Sequence, residues 1–105
     1  MAQFDVFENP NVAQRDGFPY LVDLQSGQLD QFSTRLVMPL ARLGIAPAAL
    51  PRRLTQAVLV KGERLFPAAH LCAPLPTRQL KRTVASVRGQ ADVFRDALDA
   101  VISGV

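Results

Sequence analysis

The spacing of apolar residues changes once along this chain, at Val87, and that change constrains the fold more than any other feature. From there the apolar side chains stand at Val87, Ala91, Phe94, Leu98, Val101 and Val105, with Gln90, Asp92, Arg95, Asp96 and Asp99 between them. Alternating steps of four and three residues lay one stripe along an α-helix and leave the opposite face charged. The pattern predicts a helix over about residues 87–103. Ser86 is expected to cap it by accepting from first-turn amides, and Gly104 to end it in a left-handed conformation. Asp99 near the C-terminal end opposes the helix dipole, and a residue placed against local stability sometimes marks a function.

Before Val87 the chain reads as short strands between turn formers. Phe4 to Phe7 is the first, closed by Asn9-Pro10-Asn11. Tyr20 to Gln25 is the second, with Tyr20, Val22 and Leu24 on one face and Asp23 and Gln25 on the other. Arg35 to Leu40 is the third; it groups Leu36, Met38 and Leu40, and Pro39 predicts a strand end or an edge. The two prolines within Gly44 to Pro51 predict a loop. Leu54 to Val60 and Arg64 to Phe66 flank Lys61-Gly62-Glu63, a hairpin turn in which Gly62 takes positive φ. Leu75 to Leu80 supplies a further strand. Strands followed by one helix define a mainly β, α+β architecture: a small sheet or barrel with a helix laid over it.

A chain of 105 residues, 49% of them hydrophobic, suits one domain spanning 1–105 and leaves no room for a second catalytic unit. Its single cysteine, Cys72, excludes an internal disulfide framework and points to the cytoplasm. The N-terminus lacks an export signal, and the longest uncharged stretch, Leu65 to Thr77, is broken by three prolines, so no membrane span is expected. The net charge of +3 is unevenly laid. Residues 51–88 hold eight basic side chains against Glu63 alone, while the segments on either side are acidic. A basic middle is either a solvated face or a contact for an acidic partner or DNA phosphate.

Catalytic equipment is hard to assemble. His70 and Cys72 stand two apart, on one face if the segment is a strand, yet no third group to orient them and no oxyanion site is marked. A metal site needs more ligands than these two and scattered carboxylates supply. The six glycines stand far apart, so no phosphate-binding loop is present. No cofactor is expected. Asp92, Asp96 and Asp99 read as a solvated acidic face or as an electrostatic contact patch.

Particular strings carry more. The opening Gln3-Phe4-Asp5-Val6-Phe7, then Tyr20-Leu21-Val22-Asp23-Leu24-Gln25-Ser26, Thr34-Arg35-Leu36-Val37-Met38-Pro39-Leu40 and the closing Ile102-Ser103-Gly104-Val105 together resemble the CcdB family, in order and over essentially the whole chain. The resemblance implies an SH3-like β-barrel with a small additional sheet and a C-terminal helix, assembled as a symmetric homodimer. It also implies a non-enzymatic toxin of a toxin–antitoxin module. Such a toxin binds the A subunit of DNA gyrase and traps the gyrase–DNA cleavage complex. A CcdA-like antitoxin neutralises it, and operator DNA is reached only through the antitoxin complex, which represses the shared operon.

Carried over residue by residue, the family's gyrase contacts fall on Asp99, Ile102, Ser103, Gly104 and Val105 at the end of the helix, and on Ser26, Gln28 and Leu29 in the turn after the second strand. Ser103 stands where the plasmid-borne type member has Trp, and an aromatic anchor commonly contributes ~2 kcal/mol or more at an interface. Arg52, Arg53, Lys81 and Arg82 are expected to attract the acidic tail of the antitoxin. Two alternatives stand beside this reading. One is a MazF-like ribonuclease toxin on a related barrel, for which the chain offers no set of groups beyond Arg35 and nearby threonines; the other is an inactive CcdB-like regulatory dimer.

Overall fold

The computed structural model describes residues 2–27, 32–42 and 56–103, without the side chain of Ser103. Its strands are β1 (Asp5–Glu8), β2 (Tyr20–Asp23), β3 (Thr34–Ala41), β4 (Val58–Val60), β5 (Glu63–Pro67), β6 (Ala73–Pro76) and β7 (Thr83–Ser86), followed by helix α1 (Ala91–Ser103). All pairings among the described residues are antiparallel, in the order β4-β5-β3-β2-β1-β7 with β6 pairing the outer half of β3. The sheet curls into a nearly closed barrel, the α+β, mainly β fold expected from the sequence.

Local chemistry accounts for each turn of the curl. Val60 pairs with Glu63, and between them both Lys61 (φ 51°) and Gly62 (φ 82°) take the left-handed region, as a type I′ hairpin requires. The glycine was expected there; the lysine was not. Pro39 lies inside β3, a central strand, and not at an edge. Its carbonyl accepts from Ala68, so its ring nitrogen faces the gap where the partner of β3 changes from β6 to β5, and no ladder bond is lost. Between Val6 and Phe7 the β1–β7 register shifts, a bulge that bends the sheet.

Two apolar layers lie on the two faces of the sheet. On one, Phe4, Val6, Val22, Met38, Leu40 and Leu65 surround Phe94 of α1, whose ring centroid is 5.9 Å from that of Phe4. On the other, Phe7, Leu21, Val37 and Leu80 form a smaller cluster. The expected stripe holds at Val87 and Phe94, with Ala91 and Leu98 packed in part against the same core, and departs from it at Val101. Phe94 is buried as predicted, but Ala97 and Ala100 complete the buried line, and Val101 is 41% exposed. Small alanines let the last turns of the helix lie close to the sheet, and Val101 and Ile102 turn outward. The helix also starts later than expected: a 3₁₀ turn, Arg88–Gln90, precedes it, and the Ser86 hydroxyl accepts from Arg88 at 3.4 Å.

Other differences are local. The expected strand Leu75–Leu80 ends at Pro76 and passes into a 3₁₀ turn, Thr77–Gln79, while β7 was not foreseen. The predicted loop 44–51 lies outside the described residues. Gln90 closes the far end of the barrel: its side-chain amide bonds both backbone groups of Leu59 on the outer edge of β4.

Candidate partner-binding surfaces

The first surface is the outer face of α1. Burial of Phe94, Ala97 and Ala100 turns Asp92, Arg95, Asp99 and Ile102 to solvent. Arg95 lies 3.3 Å from Asp92, one turn back. Beyond them Ile102 is 80% exposed, an apolar side chain beside the carboxylate of Asp99 near the end of the helix. The inner face of α1 packs on β5 and on the 3₁₀ turn Ala69–Leu71. Ser103 continues the helical backbone, whereas Gly104 and Val105 lie outside the described residues.

The second surface is the segment leaving β2, and a buried ion pair fixes it. Asp23, expected on a polar outer face, is fully buried, as is Arg35 at 2% exposure. Arg35 reaches one oxygen of Asp23 at 2.7 and 2.9 Å and the carbonyl of Gln25 at 3.1 Å. The other Asp23 oxygen accepts from the Gln25 amide. The Gln25 side chain then bonds Leu36 N–H and the Thr34 carbonyl, so it occupies the next rung of the ladder after β2 ends. Every polar group in this cluster is used, which is the condition under which a buried pair is tolerated. Ser26, exposed, leaves the barrel directly from this anchor; Gln28 and Leu29 lie outside the described residues. Leu24, two residues back, shares one apolar cluster with Phe94 and Ala97, so both surfaces rest on the same core.

A third region lies on the face that α1 does not cover. A cleft of about 820 Å³ is floored by Leu21, Val37, Leu75 and Phe18, with Leu71 and Lys81 on its walls. Next to it a more polar hollow of about 550 Å³ is lined by Arg15, Lys61, Lys81 and Arg82. Of the four residues expected to attract the antitoxin, Lys81 and Arg82 are exposed, and Arg52 and Arg53 lie outside the described residues. Sequence reasoning missed Arg15 and Lys61. Lys61 adjoins the hairpin glycine, and only closure of the barrel brings that hairpin to β7.

Residues considered for catalysis do not assemble. Arg35 is committed to Asp23 and Gln25 and is buried at 2% exposure, so its guanidinium is not presented at the surface. His70 lies exposed in a 3₁₀ turn, not in a strand, so it shares no strand face with Cys72. Partial burial raises the Cys72 thiol above its ordinary pKa, the wrong direction for a nucleophile. Among the described residues no three His, Cys, Asp or Glu side chains gather as a metal site needs. No described helix is long and apolar enough to cross a membrane.

A nearly closed antiparallel barrel carrying one helix, with exposed apolar and charged side chains at that helix's end, defines a small α+β fold that presents contact surfaces. The family model described as CcdB protein matches residues 3–104. The chain belongs to the CcdB family, the toxins of toxin–antitoxin systems, which act as poisons and not as catalytic enzymes. No curated protein matches the chain.

Proposed function

We propose that the protein binds the A subunit of DNA gyrase and traps the gyrase–DNA cleavage complex, and that a CcdA-like antitoxin neutralises it and joins it in repressing the shared operon. The observation that carries this reading is Ile102, 80% exposed beside Asp99 on a helix whose opposite face is fully packed. Ile102 stands with Val101, 41% exposed, at the end of a helix whose inner face is packed, and neighbouring apolar side chains next to a charge have the chemistry of an interface anchor. Ser26, Gln28, Leu29, Ser103, Gly104 and Val105 complete the proposed gyrase surface.

Poisoning of this kind requires no bond to be made or broken by the toxin. Preferential binding to the cleaved state of gyrase shifts that enzyme's own equilibrium, by no more than the difference in affinity for its states. A two-fold homodimer presents the surface twice to a two-fold target. The acidic tail of the antitoxin is drawn to Arg52, Arg53, Lys81 and Arg82, and all of this takes place in the cytoplasm. The test is induced expression in a host with ordinary gyrase and in one whose gyrase resists such toxins. Growth arrest only in the first supports the reading; arrest in both sinks it.

A further inference from the structure

We propose that Gln25 is a positioning residue for partner binding: its side chain takes sheet rungs that belong to the main chain, and so turns the chain out of the barrel at one defined point. The inference deepens the gyrase reading and rests on it, because the segment that Gln25 directs carries Ser26, Gln28 and Leu29. The β2–β3 register, Asp23 opposite Val37, places Leu24 opposite Leu36 and Ser26 opposite Thr34 when continued. One bond of that continuation is made, from Leu24 N–H to the Leu36 carbonyl at 2.9 Å. On the same register the Leu36 N–H is due to the Leu24 carbonyl, and the Thr34 carbonyl to the Ser26 N–H. The Gln25 side chain takes both instead, accepting from Leu36 and donating to Thr34 at 3.0 Å each. The main chain therefore departs from β3 between Leu24 and Ser26.

The main-chain groups displaced from the ladder are rehoused. The Leu24 carbonyl accepts from the Gln3 side chain at 3.0 Å, the Gln25 N–H donates to Asp23 at 2.9 Å, and the Gln25 carbonyl accepts from Arg35 at 3.1 Å. With the Leu24 N–H on Leu36, all four main-chain groups of residues 24 and 25 are satisfied without a further rung. The far end of the segment is held as well. The Ser33 carbonyl accepts from Thr77 N–H at 2.8 Å, and the Thr77 carbonyl accepts from Leu80, which is buried in the second apolar cluster. Both feet of the segment 26–33 are thus fixed before a partner arrives, which lowers the ordering cost of binding. The first foot is also keyed to the helix that carries Ile102, because Leu24 packs in one cluster with Phe94 and Ala97.

A residue that only closed a strand edge would do no more than Gln90 does. Gln90 satisfies both backbone groups of Leu59 with the same two bonds, and it stands at the opposite end of α1 from Ile102. Both glutamines are half-buried. Truncating either removes the same kind of bond, but only Gln25 aims a segment that the gyrase reading uses.

The experiment compares three variants of the full chain with the parent. Gln25→Ala removes the side-chain bonds, Gln25→Met keeps the side-chain length without them, and Gln90→Ala is the matched control. Each is titrated against the purified A subunit of gyrase, with melting temperature and backbone amide relaxation measured on the same samples. Both Gln25 variants should bind about tenfold more weakly than the parent, because the segment must then be ordered on binding. Gln90→Ala should lose a comparable amount of melting temperature and no measurable affinity. The Ser26 and Gly27 amides should gain fast motion in the Gln25 variants alone.

Gln25 variants that bind as tightly as the parent overturn the proposal, since Gln25 then only closes an edge. Gln90→Ala binding as weakly as Gln25→Ala overturns it too, because the effect then follows stability. A parent chain that does not bind the A subunit overturns the gyrase reading instead, and amide motion then decides the positioning alone. A gain at Ser26 and Gly27 confined to the Gln25 variants upholds it; no gain removes it.

Discussion

The side-chain amide of Gln90 bonds both backbone groups of Leu59, accepting from its N–H at 2.9 Å and donating to its carbonyl at 3.0 Å. One side chain thus acts as the missing strand rung between β4 and the segment that enters α1. The same device recurs at Gln25, which bonds Leu36 N–H and the Thr34 carbonyl beyond the end of β2. Both glutamines satisfy strand edges that would otherwise invite pairing with another chain.

Gln90→Ala should lower the free energy of unfolding by about 1 kcal/mol, because water replaces part of what is lost at this exposed edge. Amide exchange at Leu59 should accelerate with it. Unchanged exchange at Leu59 would show that the barrel is closed by other contacts.

Asp23→Ala leaves the Arg35 guanidinium buried without its carboxylate, and removal of one partner of such a pair costs about 3–5 kcal/mol. Urea denaturation should show a loss of that size, compared with about 3–5 kcal/mol for Phe94→Ala, which empties the centre of the main core. Asp23→Ala should also loosen residues 25–26, seen as amide shifts at Ser26; Phe94→Ala should leave the Gln25 bonds in place.

Much of the fold is legible in the sequence. The period change, the Lys61-Gly62 turn and the Val22–Leu24 and Met38–Leu40 alternations each express one local rule. Asp23 escaped because strand alternation sees only neighbours, and its counter-charge, Arg35, lies twelve residues on. Burial of Ala97 and Ala100 in place of Val101 escaped because alanines carry little hydrophobic weight yet allow close approach. β7 escaped because Thr83–Ser86 contains one large apolar residue, with Lys81, Arg82 and Arg88 close by. Of the candidate gyrase surface, only the odd placement of Asp99 was visible without the family resemblance. Turn and helix-end residues follow no repeat, and the basic hollow forms only where the β4–β5 hairpin approaches β7.

Cys72 provides a pH test. Its pKa is raised by desolvation, so the folded protein holds the thiol proton to higher pH than the unfolded chain does. The unfolded chain releases that proton first, so this contribution to stability is present below the ordinary thiol range and is lost as pH rises through it. Alkylation by iodoacetamide at mildly alkaline pH should be slower in the native protein than in the unfolded one. Equal rates at matched pH would contradict the burial of the thiol.

Ile102→Asp and Asp99→Arg alter exposed side chains and should change stability by no more than about 0.5 kcal/mol. Their effect belongs to the partner. Both variants should express, fold with the same melting temperature as the parent and fail to arrest growth; arrest at the parental level by Ile102→Asp would move the contact surface elsewhere.

The most direct measurement is a DNA cleavage assay with purified gyrase, supercoiled plasmid and the purified protein at micromolar concentration. The account predicts that protein-linked linear DNA accumulates with the parent chain and not with Ile102→Asp of equal stability. Absence of stabilised cleavage by the parent chain, or equal cleavage by both, would contradict it.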